Sequence, residues 1–176
     1  MKKLIAFLLS LALIFALAAC GETPSATDST PAPSDSAPAE EQKKPEEAFF
    51  FVLDGVKLIP GNVFDADALT EANDVFQVPS CAIEGTDDVF SYDAVEITAY
   101  NDGTGPVIYS IYMLDPNVST MEGLYLGDDL PTVEAIYGTN YQDNDGELVY
   151  TKGQTELRII VEEDLVISIE YRMVTA

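Results

Sequence analysis

After residue 48 the chain is patterned by alternation. Leu165–Met173 (LVISIEYRM) switches between apolar and polar at every second position, the period of a strand. It places Ile167, Ile169, Tyr171 and Met173 on one face, to be packed beneath helices. Val166, Ser168, Glu170 and Arg172 fall on the other, within reach of Glu156 and Arg158 on the strand before. Glu147–Thr151 and Gln154–Val161 read as further strands, with turns at Asp145-Gly146, Lys152-Gly153 and Glu163-Asp164. Upstream, Phe49–Pro60 reads as a strand with Gly55 as a break or bulge. Val89–Tyr100 and Val107–Leu114 read as strands joined through Asn101-Asp102-Gly103-Thr104-Gly105-Pro106.

Two stretches carry helical rather than strand periodicity. Asp65–Asn73 (DADALTEAN) predicts a short helix, and Leu130–Tyr137 predicts a second with Leu130, Val133, Ile136 and Tyr137 on one stripe. Asp129 is placed to cap free amides, Pro131 suits the first turn, and Gly138 supplies a left-handed stop. The same letters, Gly123 to Gly138, invite comparison with a glycine-rich anion cradle. Asp128 and Asp129 at the helix start would repel a phosphate, so a capped helix is the better reading.

The order of elements recurs in two halves, about 49–115 and about 120–176. At an offset of 58, Tyr92 falls on Tyr150, Ser110 on Ser168 and Ile111 on Ile169; at 68, Gly55 falls on Gly123. The first half has about ten more residues, assigned to Phe76–Thr86 around Cys81. The expected fold is therefore α+β: one head over 49–176 built as a tandem repeat of short helix plus antiparallel strands, helices on one face of the sheet. Gly-x-x-x-Gly-Asp, a helix ending Val-x-x-x-Tyr-Gly, and strands closing on Val-x-x-Ile resemble small helix-plus-sheet lipoprotein domains. The outer-membrane assembly lipoproteins of the BamE type and the tandem β-lactamase-inhibitor-protein fold are examples. That resemblance implies action by binding other proteins and transfers no site residue. β-Lactamase-inhibitor proteins carry disulfides in their units, whereas this head has a single cysteine.

The first 20 residues, MKKLIAFLLSLALIFALAAC, set a basic pair before an apolar run too short for a comfortable membrane span. This is the pattern of a signal peptide over 1–19. Leu17-Ala18-Ala19-Cys20 resembles the lipobox of bacterial lipoproteins, which implies that Cys20 is joined to diacylglycerol and becomes the first residue after cleavage. Residues 21–48 contain no aromatic or large aliphatic side chain and predict a disordered linker, about 30 Å across as a flexible coil.

Charge narrows the classes of partner. The sequence has 31 acidic and 8 basic residues; loss of Lys2 and Lys3 with the signal leaves 6 basic residues and a net charge of −25. Within 49–176 only Lys57, Lys152, Arg158 and Arg172 are basic. Such a surface repels nucleic acid and anionic headgroups and favours a basic partner or a divalent cation. The absence of histidine removes the commonest general base, zinc ligand and partner of a serine or cysteine nucleophile. Cys81 has no neighbouring cation to lower its pKa, which predicts a buried, inert thiol. Asp143–Glu147 fails the EF-hand pattern at Tyr141 and Lys152, leaving weak calcium binding at Asp87-Asp88 or Asp143-Asp145 as an alternative. Any pairing of carboxylates for glycoside hydrolysis is arbitrary among 24 acids in the head.

Together these features predict a lipid-anchored, extracytoplasmic, non-catalytic binding module of the cell envelope. It engages a protein partner, and no cofactor or metal is implied. A calcium- or small-ligand-sensing domain is the alternative, and a histidine-free carboxylate hydrolase ranks last. The predicted contact surface is the sheet face bearing Tyr112, Glu170 and Arg172.

Overall fold

The computed structural model describes residues 48–101 and 103–175; the signal peptide, Cys20 and nearly all of the linker lie outside the described residues. Among the described residues ten strands order as β1 Phe51–Leu53, β2 Val56–Leu58, β3 Asp74–Pro79, β4 Thr86–Ser91, β5 Val95–Asn101 and β6 Pro106–Met113, then, after helix α1 Leu130–Tyr137, β7 Gln142–Asn144, β8 Glu147–Lys152, β9 Thr155–Glu162 and β10 Leu165–Met173. β1 and β2 form a separate hairpin. The other eight make one antiparallel sheet in the order β3-β4-β5-β6-β10-β9-β8-β7. Two four-stranded meanders thus meet where β6 pairs with β10.

The expected α+β tandem repeat of helix plus strands is overturned. Among the described residues α1 is the single α-helix, and the chain is mainly β. In Asp65–Asn73 only a 3-10 turn forms at Ala66–Ala68. Its apolar content is too small to dock a helix, and short helices do not persist without docking. Neighbouring elements claim its C-terminal half instead: Thr70 donates from N and Oγ1 to Asp54 in the β1–β2 turn, and Asn73 N donates to the Ser91 carbonyl of β4. The proposed alignment also fails in detail, because Tyr92 sits in the β4–β5 turn while Tyr150 lies inside β8. The reading of Val89–Tyr100 as one strand is split by that turn. Phe76–Thr86, taken as an insertion, supplies most of β3 and its link to β4.

The second half follows its sequence closely. Asp129 accepts from Thr132 N at 3.0 Å, Pro131 occupies the first turn, and Gly138 closes α1 with positive φ. The hairpins turn at Asp145-Gly146, Gly153-Gln154 and Glu163-Asp164, two residues each, the middle one a residue later than the expected Lys152-Gly153 because Lys152 pairs with Thr155 in the ladder. Gly55, expected as a break or bulge, is instead the second residue of a two-residue turn with Asp54, both at positive φ.

One sheet face makes the core. Val95, Ile97, Ile111, Leu157, Ile159, Ile169 and Tyr171 are fully buried there. Over them lie Phe49, Phe51, Leu58, Phe64, Leu124 and Val133, contributed by the N-terminal hairpin, the loops and α1. Two bulges shift the alternation. In β10, Val166 pairs with Val161 and Ser168 with Ile160, leaving Ile167 unopposed. Val166 therefore faces the core and Ile167 is 49% exposed, the reverse of the expected assignment for this pair. In β6 the register skips Tyr109, so Ile108 joins the core and Tyr109 turns to the opposite face.

Candidate functional site

The face opposite the core brings the predicted contact residues together. Strand register sets a row of Gln142, Val149, Arg158, Glu170, Tyr112, Glu96 and Ser91 across seven strands. A parallel row places Glu156, Arg172, Ser110 and Thr98 beside it. Tyr112 and Glu170 are directly opposed, and Arg172 stands opposite Ser110. Both arginines of the sequence thus lie on this face, in adjacent strands, because the register sets Arg158 opposite Glu170, which shares its face of β10 with Arg172.

Arg158 is held by carboxylates on two strands. Its Nε and Nη2 donate to Glu156 Oε2 at 3.0 and 2.9 Å, and Nη1 donates to Glu147 Oε1 at 3.2 Å. Burial works against its charge. Its hydrogen bonds to Glu156 and the charges of Glu147, Glu156 and Glu170 outweigh this and raise its pKa. Arg172 is placed differently. Its guanidinium lies over the Tyr109 ring, Cζ 4.7 Å from the centroid, and its Nη2 donates to the Tyr109 hydroxyl. Tyr109 has no distinguishing sequence signal: it reaches this face only because of the bulge in β6. Tyr112, Ile160 and Ile167 are exposed on the same face.

A second polar cluster lies on the core side, at the end of α1. The Tyr137 hydroxyl is 2.7 Å from Thr120 Oγ1 and 3.0 Å from Glu122 Oε2. Lys152 Nζ sits 4.0 Å from Glu122 and 4.4 Å from the Phe49 ring centroid. Phe49, Glu122, Tyr137 and Lys152 line a cleft of about 340 Å³ together with Asn140 and Tyr150. The Tyr150 hydroxyl donates to the Gly138 carbonyl at 2.9 Å, tying β8 to the helix stop. Its hydrogen bonds are used for packing.

Neither acidic pair assembles as a chelate. Asp87 and Asp88 are consecutive in β4 and point to opposite faces, and Asp88 accepts from Gln77 Nε2 at 2.9 Å. Asp143 accepts from Gly146 N at 2.9 Å, which fixes the β7–β8 turn. No group of three potential metal-ligating side chains occurs among the described residues. Cys81 is exposed, not buried, because the segment that carries it forms an edge loop between β3 and β4.

No protein-family model matches the chain, and neither the curated proteins nor the solved structures yield a match.

Proposed function

We propose that this protein is a lipid-anchored, extracytoplasmic binding module of the cell envelope that engages a protein partner through the face bearing Tyr112, Glu170 and Arg172, without catalysing a reaction. The observation that carries the reading is the placement of both arginines beside exposed aromatic and aliphatic side chains on the face opposite the core. Arginine and tyrosine dominate binding hot spots because each buries a large surface and still makes directed polar contacts. Arg172 is already oriented on Tyr109, so little side-chain entropy is lost when a partner covers it. The amino-terminal pattern supports anchoring through Cys20, with residues 21–48 as tether.

Affinity capture from detergent-solubilised membranes tests it, comparing the wild-type chain with Cys20→Ala and with Arg172→Ala/Tyr112→Ala. A partner enriched by the wild type and lost with the double variant is the expected result. Recovery of nothing above the Cys20→Ala control, or of a partner indifferent to the face variant, would overturn the proposal.

A further inference from the structure

We propose that Tyr112, with Glu96 and Glu170 on either side, is a seat for a lysine or arginine side chain of a basic protein partner. This rests on the reading of the sheet face as a protein contact and names the chemistry of what it takes. The three residues stand directly opposite one another on β5, β6 and β10. Cross-strand neighbours on one face are about 4.5–5.5 Å apart at Cβ, so the tyrosine ring is flanked by a carboxylate on each side. Tyr112 is 37% exposed and both glutamates are half-buried, which leaves the ring reachable and the carboxylates partly desolvated.

The cations on this face are already engaged elsewhere. Arg158 opposes Glu170 across β9 and β10, yet its nitrogens bond Glu156 and Glu147. Arg172 is turned onto Tyr109. Five glutamates (96, 147, 156, 162 and 170) thus share the face with two arginines; Glu147 and Glu156 hold Arg158 and Glu162 stands at the far end of β9, so the carboxylates left beside Tyr112 are Glu96 and Glu170. An incoming ammonium or guanidinium would gain the ring's quadrupole and two carboxylates at once. The rest of the molecule adds long-range attraction, since residues 49–176 hold 24 acidic and four basic side chains. Steering of that kind is general, whereas the seat is local, and the two separate by mutation.

The probe is a Lys-Ala-Lys-Ala-Lys peptide, with its fully acetylated-lysine counterpart as the uncharged control. The full chain in detergent micelles is labelled with ¹⁵N at its nine tyrosines, so the Tyr112 amide reports directly. The lysine peptide should shift the Tyr112 signal saturably and the acetylated peptide should not. Glu96→Gln/Glu170→Gln should weaken this binding about tenfold or more, while Glu71→Gln/Glu162→Gln, equal in charge and remote from Tyr112, should change it less than about twofold. Equal weakening by both pairs, or shifts that spare Tyr112, means general attraction only and overturns the seat. If capture depends on Arg172 while Tyr112 ignores the peptide, the seat fails and the binding-face reading stands. If the peptide binds at Tyr112 and membranes yield no partner, the binding-face reading fails instead.

Discussion

Three tyrosines show how much environment changes one side chain. Burial, then the charges of Tyr141 and Glu134, pushes the Tyr150 hydroxyl up to about 12. Burial also raises Tyr137 and Tyr171 well above the ordinary tyrosine value of 10.0. A folded pKa above the unfolded one contributes stability that is complete below pH 10 and lost as pH rises through the folded values. The acid side runs oppositely. Hydrogen bonds from Thr70, Asn117 and Thr132 lower Asp54, Asp115 and Asp129 respectively, so their contribution is present above about pH 4 and lost as pH falls through the folded values. With no histidine, the expected stability profile is a plateau flanked by these two losses. Tyrosinate absorbance should rise in two stages, the buried tyrosines ionising only as the fold opens. A single transition near pH 10 for all nine tyrosines in the native protein would contradict this burial.

At the level of elements, local turn chemistry carries much of the second half. Asp145-Gly146 has both residues at positive φ, the conformation that suits the right-handed twist of a hairpin. A Cβ at Gly146 would stand 3.2 Å from the Val161 carbonyl oxygen, so Gly146→Ala should cost about 1–2 kcal/mol by urea unfolding. The β9–β10 turn adopts the same conformation with Glu163 and Asp164, neither of which favours it as glycine or asparagine does. Glu163→Asn/Asp164→Gly should stabilise the fold by about 1 kcal/mol, and an unchanged or lower urea midpoint would count against the assigned turn. Helix α1 was legible to the residue because its cap, proline and glycine stop agree with its apolar stripe. Asp65–Asn73 has a cap and helix formers but little apolar surface, and Asp54 and Ser91 drew its backbone away. β3 was missed because its edge position leaves Val75 and Phe76 exposed, which erases the alternation a half-buried strand shows.

For the whole molecule, the governing quantity is charge. A formal net charge of −23 opposes compaction, and salt screens that repulsion. Sodium chloride should therefore raise the thermal midpoint, by roughly 4 °C for a gain of about 1 kcal/mol in a head of this size. A midpoint that falls or stays level with salt would show that the half-buried Arg158 network, which salt weakens, outweighs surface repulsion.

The sequence by itself determined what depends on neighbours along the chain: α1 with its cap and stop, the turns at Asp145-Gly146 and Glu163-Asp164, the alternation of β8 and β9, and an acidic balance hostile to nucleic acid. It also put Glu170 and Arg172 on one face, because parity within a strand is a local property; that Tyr112 joins them was decided by the pairing of β6 with β10. Only the tertiary structure decided that the eight strands form one sheet and that, among the described residues, no α-helix packs in the first half. It also decided, through two bulges, that Ile167 faces outward and that Tyr109 lies beneath Arg172. A bulge is fixed by which strand lies alongside and how the core fills. That choice is made between residues far apart in sequence, and the local pattern carries no trace of it.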